Sequence, residues 1–180
     1  PELLTAGLAR PAVMALVLPQ QVLGQDRGFA RFVAGEQVAL RRYAPALTGN
    51  DFPDANAHYS YAFKLLNEKR YPEASATFDA FVKKYPTDPL TANAYYWLGE
   101  SYYARADYTR SSDSFRKGFE ANPEGQKAPD NLFKLAKSLV QVKRTPEACV
   151  VLTQLSKKYG AAAPRVSKLA DDERVALQCK

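Results

Sequence analysis

Acid–base, nucleophilic or metal chemistry in this chain would be sought first at three residues: the single histidine, His58, and the two cysteines, Cys149 and Cys179. His58 has no second histidine to work with. A shift of 37 residues carries it onto Tyr95 and then Leu132, so it occupies a place where other copies put packing side chains. The cysteines form no C-x-x-C pair, and one histidine cannot complete a zinc set with them. No nucleophile elbow, glycine-rich phosphate loop or zinc-protease helix is present. The residue types therefore point away from catalysis: no catalytic residue, no metal and no cofactor is expected, and the chain is not read as an enzyme.

The elements that would hold these residues are set by repetition. Tyr71-Pro72-Glu73-Ala74, Tyr108-Thr109-Arg110-Ser111 and Thr145-Pro146-Glu147-Ala148 superpose at the same 37-residue shift, without gaps. So do Ala62, Gly99 and Ala136, then Phe78, Phe115 and Leu152, then Phe81, Gly118 and Leu155. A fixed period of this size marks stacked supersecondary units, none of which buries its apolar face alone. Within the middle copy Tyr95, Leu98, Gly99 and Tyr102 lie three or four apart and share one helical face. A polar break at Arg105-Ala106-Asp107 leads to a second helix with Ser111, Phe115 and Gly118, ending near Asn122-Pro123. Pro72 and Pro146 stand where a second helix begins, a position that tolerates proline. Lys83-Lys84 and Lys157-Lys158 fall in last turns, where cations suit the helix dipole.

The pattern resembles the tetratricopeptide repeat, W-x2-L-G-x2-Y, then A-x3-F, then P. Tyr95, Leu98, Gly99, Tyr102, Ser111, Phe115 and Pro123 carry it in the middle copy. The first copy has Leu65, Ala74, Phe78 and Pro86, and the third has Leu132, Leu135, Ala136, Leu139, Ala148 and Leu152. The period exceeds the usual 34, with the surplus between repeats, and Trp97 stands off the signature position that Tyr95 occupies. The repeats imply an all-α right-handed superhelix of three helix–turn–helix units, over 55–91, 92–128 and 129–165, with a C-terminal capping helix over 166–180. Residues 1–54 form an extension with one amphipathic helix at about 28–44, carried by Phe29, Phe32, Val33, Leu40 and Tyr43, and a linker at Pro45, Gly49-Asn50 and Pro53.

Longer strings are similar to one family, the periplasmic Tol–Pal-associated cell division coordinators. They are Tyr71-Pro72-Glu73-Ala74, Asn93 through Tyr103, Lys127-Ala128-Pro129-Asp130 and Glu147-Ala148-Cys149. The resemblance covers about Ala55 to Tyr159. It implies a non-enzymatic periplasmic scaffold that couples outer-membrane constriction to septal peptidoglycan synthesis. Its partners would be the inner-membrane-anchored Tol component and a peptidoglycan synthase. Such families carry an N-terminal trimerising coiled coil, and residues 1–54 show no sustained heptads, which leaves the oligomeric state open. The alternative is a repeat lipoprotein of outer-membrane barrel assembly.

In such arrays the first helix of each repeat lines a concave surface. That places Asn56, Tyr59 and Phe63 on the inner wall in copy one. Asn93, Tyr96, Glu100 and Tyr103 take the same places in copy two, and Asp130, Phe133 and Lys137 in copy three. Tyr59, Tyr96 and Phe133 would then form an aromatic ladder with Asn56, Asn93 and Asp130 above it, suited to an extended peptide or a partner helix. The competing reading makes the three rings packing residues.

Charge and cysteine usage set outer bounds. The net charge is +6, with five basic and five acidic residues in 1–54 and 20 against 14 beyond. That mild surplus is scattered at helix ends rather than clustered, so nucleic acid is not expected as a partner. The longest apolar run, Ala12 to Leu18, is far short of the ~20 residues that span a bilayer, so no membrane insertion is expected. Leu3 to Leu18 reads either as an eroded secretory segment or as a buried or hinge segment. A capping helix packed over the last repeat would bring Cys149 and Cys179 together, and in an oxidising compartment they would close a disulfide. Otherwise they are two unpaired thiols.

Overall fold

A computed structural model describes residues 52–180. The amphipathic helix anticipated near 28–44 lies outside the described residues. Within them the chain forms seven α-helices and no strand: α1 (Ala55–Asn67), α2 (Tyr71–Lys84), α3 (Thr91–Ala104), α4 (Tyr108–Ala121), α5 (Ala128–Gln141), α6 (Thr145–Tyr159) and α7 (Pro164–Ala176). Each packs mainly on its neighbours in sequence, with α1 also reaching α3 and α5 reaching α7. This is the arrangement of a stacked helical repeat.

Local chemistry starts these helices. The Asp54 carboxylate accepts from the Ala57 backbone N–H at 2.8 Å to cap α1, and Asp107 accepts from Arg110 to cap α4. Proline occupies the first turn of α2, α5, α6 and α7, where its missing N–H has no helical acceptor to lose. The turn inside each repeat contains a left-handed residue, Lys69, Ala106 or Lys143, with φ near 58–64°. In the middle turn Ala106 N–H donates to the Tyr103 carbonyl and Asp107 N–H to that of Tyr102. That pair of bonds is a Schellman closure, satisfying carbonyls the helix end would leave open.

Packing follows the repeat. Ala62, Gly99 and Ala136 let the paired helices approach, and Phe78, Phe115 and Leu152 fill the space opposite, each at 0% exposure. Two core clusters result. One gathers Ala62, Phe78, Phe81, Leu98 and Tyr102; the other runs from Phe115 through Leu132 and Leu152 to Val166 and Ala170 on α7. No helix among the described residues is long and apolar enough to cross a membrane.

Candidate interaction groove

The positions expected on the inner wall lie on α1, α3 and α5, and ring contacts link several of them. Tyr59 stacks parallel to Phe63 with ring centroids 6.4 Å apart, and Phe63 meets Trp97 edge-on at 5.1 Å. Trp97 in turn lies 4.8 Å from Tyr96. The Lys127 ammonium sits 4.6 Å from the Tyr96 ring centre and 5.5 Å from that of Trp97, a shared cation–π contact. Tyr59 and Phe63 are half-buried. Burial raises the Tyr59 hydroxyl above its ordinary pKa, with a hydrogen bond from Trp97 working the other way.

Of the polar members, Glu100, Asp130 and Lys137 are already engaged in ion pairs. Lys134 Nζ lies 2.8 Å from Glu100 Oε1 and 5.5 Å from the Tyr103 ring centre, tying α5 to α3. Lys137 reaches both carboxylate oxygens of Glu173 at 3.1 Å, tying α5 to α7. Asp130 pairs with Lys127 at 3.6 Å. Asn56 is exposed on α1, and Asn93 is half-exposed at the start of α3.

The aromatic ladder needs correction at its centre. Tyr96 is only 7% exposed, enclosed by Trp97, Phe115 and Lys127. It is a packing residue, and burial, with Glu100 and Asp130 nearby, drives its hydroxyl pKa strongly upward. Phe133 is half-buried against the second core. The half-buried ring that links Phe63 to Tyr96 is Trp97. Sequence reasoning passed it over because its column, Ser60, Trp97 and Lys134, repeats nothing. Lys127, Lys134 and Glu173 were missed for the same reason: periodicity marks what packs, and contacts between repeats sit where it fails.

Away from the groove, His58 is fully buried, and its Nε2–H donates to the Thr77 carbonyl at 3.1 Å. Cys149 and Cys179 are joined as a disulfide with Cα atoms 5.5 Å apart. A hollow of about 1000 Å³ flanks that bridge on α6 and the C-terminal tail. None of the inner-wall residues lines it.

A superhelical stack of helix pairs of this kind is a protein-interaction domain. Tetratricopeptide-repeat family models match residues 37–89, 64–125 and 130–161, and the chain belongs to that family. Its repeats are similar to those of the cell division coordinator CpoB of Pseudomonas putida, at 44% identity over 50 residues, or 28% of this chain and 19% of that protein. CpoB of Escherichia coli is 39% identical over 61 residues, 33% of this chain and 22% of its own length. The matched stretch thus spans about a fifth of these relatives. Superkiller protein 3 of Schizosaccharomyces pombe is 35% identical over 83 residues, 46% of this chain and 6% of that protein. Among solved structures, the type III secretion translocator chaperone SycD of Yersinia enterocolitica superposes with a TM-score of 0.61 at 20% identity. That match covers 69% of this chain and 91% of SycD, and at this identity it speaks to the fold alone.

Proposed function

We propose that this chain is a periplasmic scaffold of cell division that holds a segment of an envelope protein against its inner wall. The observation that carries the reading is the half-exposed strip Tyr59, Phe63 and Trp97 flanked by the Glu100–Lys134 pair. Aromatic faces next to fixed charges are what an extended peptide or amphipathic helix needs for anchoring and register. The likeness to cell division coordinators supports the cellular setting. The Cys149–Cys179 bridge supports an oxidising compartment, since such bonds do not persist in a reducing cytosol. On this reading the partners are the inner-membrane-anchored Tol component and a septal peptidoglycan synthase, and the scaffold couples constriction to wall synthesis.

Titration calorimetry with the purified periplasmic parts of those two partners tests it. Phe63→Ala combined with Tyr103→Ala, both at half-buried inner-wall positions, is expected to weaken binding by about tenfold or more, the loss typical of an interface anchor. Circular dichroism and melting temperature report whether the fold survives. Equal affinity in a folded variant would dismiss the groove.

A further inference from the structure

The junction between the second and third repeats breaks the packing rule of the first. There, Phe81 at the end of α2 and Ala94 at the start of α3 form a large–small apolar pair inside one core. The 37-residue shift replaces them by Gly118 and Asn131. Asn131 is 0% exposed, and neither its Oδ1 nor its Nδ2 has a hydrogen-bond partner in the protein. An unpaired buried amide is destabilising, so it calls for a reason. Gly118 is what admits it: a Cβ there would stand 2.6 Å from Asn131 Oδ1.

Asn131 lies at the wall of a hollow of about 460 Å³ whose other sides include Asn93, Asn122, Gln126, Lys127 and Asp130. Two of these, Asn93 and Asp130, are inner-wall positions, so the hollow adjoins the groove at one end of the repeats. First-turn residues of both α3 and α5 line it, and their N-caps, Leu90 and Lys127, supply no side-chain acceptor. Thr91 and Ala128 N–H already donate to the Asp88 and Gly125 carbonyls and Pro129 has no N–H, so the remaining first-turn N–H groups and the helix dipoles are what favour an incoming carbonyl oxygen. A full negative charge has less to gain, because Lys127 is already paired with Asp130 and held over Tyr96. Asn131 offers one acceptor and a two-hydrogen donor. The complement to such a set is a group with both a C=O and an N–H.

We propose that this hollow is an amide-binding subsite, with Asn131 as its hydrogen-bonding wall, that fixes one amide of a peptide lying in the groove. The peptide setting rests on the scaffold reading above; the chemistry of the hollow does not. The amide could come from peptide backbone or from an Asn or Gln side chain, and small probes separate the two. The 15N-labelled full chain is titrated with N-acetylglycine methylamide, with propionamide and with acetate, following the backbone amides of Asn93, Gln126 and Asp130 at the hollow in every variant and the Asn131 side-chain resonances in the parent chain. Saturable shifts are expected with one or both amides, in the millimolar range appropriate to so small a ligand. They should weaken at least tenfold in Asn131→Ala, which installs the residue of the preceding junction, and in Gly118→Ala. A larger response to the backbone-type probe assigns the main chain, and a larger one to propionamide assigns a side chain. No saturable shift with either amide, a stronger response to acetate, or amide shifts unchanged in folded Asn131→Ala would each overturn the subsite. Because the probes act on the isolated chain, that failure is distinct from failure of the scaffold reading, which shows only in partner titrations.

Discussion

His58 carries a pH dependence that its surroundings determine. Its ring is fully buried, stacked on Phe52 at 4.2 Å and edged by Phe81 and Tyr85. Burial holds its pKa below the ordinary 6.5, partly offset by the bond to the Thr77 carbonyl and reinforced by the Lys84 charge. The unfolded chain therefore takes up this proton before the folded one does. Stability from the neutral ring is complete above about pH 6.5 and declines as pH falls below it towards the lower folded value. The melting temperature is expected to drop between pH 7.5 and 5.5, and His58→Phe should flatten that slope; an unchanged slope would exclude His58 as its source. Gly99 makes a second, purely steric case. A Cβ there would stand 2.7 Å from the Phe115 ring, whereas copy three pairs Ala136 with the smaller Leu152. Gly99→Ala should cost about 1–3 kcal/mol through overpacking, and Phe115→Leu should cost less in that background than alone. Additive effects in urea titrations would show that the two sites do not couple. At this scale the sequence revealed what repeats: His58 shared a column with Tyr95 and Leu132, and its packing role was legible. Trp97 and Asn131 depart from their columns, so their roles were visible only once neighbouring repeats were stacked.

The elements were the most legible level, because a 37-residue period with helical spacing inside it leaves little freedom in where helices start and stop. The turns were less so. Left-handed closures normally advertise themselves with glycine, but here Lys69, Ala106 and Lys143 occupy them, a conformation costly for residues with a Cβ. Ala106→Gly is accordingly expected to stabilise the chain by roughly 0.5–1 kcal/mol, set by the relief of that cost against the greater freedom of unfolded glycine; a lower melting temperature would contradict it. The same closure ends α7, where Gln178 is left-handed and Cys179 N–H donates to the Arg174 carbonyl, turning the chain back towards Cys149. That helix needs the tie. It buries only Val166, Ser167 and Ala170, while Val175 is 79% exposed. A bridge closing a loop of this length contributes about 3–4 kcal/mol in the chain-entropy account. Reduction, or Cys149→Ser, should raise hydrogen exchange across α7 far more than across α1 to α4. Equal exchange before and after would mean that apolar contacts and the Lys137–Glu173 pair hold α7 unaided.

For the molecule as a whole, continuity between the two cores rests on α3. It gives Ala94, Leu98 and Tyr102 to the first cluster and Tyr96 to the second, and Trp97 packs against both. In a stack of this kind cooperativity depends on the coupling between neighbouring units as much as on the stability of each. The remaining ties across this boundary include the Ser111 hydroxyl donating to the Gly99 carbonyl at 3.0 Å and the Glu100–Lys134 pair. Removing the indole takes away the one side chain that, among the described residues, is shared by both clusters, and leaves those ties in place. Trp97→Ala is therefore expected to lower stability by about 2–3 kcal/mol, less than the 3–5 typical of a fully buried large aromatic, and also to loosen the coupling. Calorimetry of the variant should show a calorimetric enthalpy exceeding the van't Hoff value, with α1 to α3 exchanging hydrogen before α5 to α7, whereas the parent chain melts closer to one step. If the variant instead unfolds in a single sharper transition, the two clusters act as one core and α3 is not their joint. A groove built across that joint would hold a peptide best when both halves are locked. Ligand binding should then raise the melting temperature of the parent more than that of Trp97→Ala, even for a ligand segment that never touches the indole.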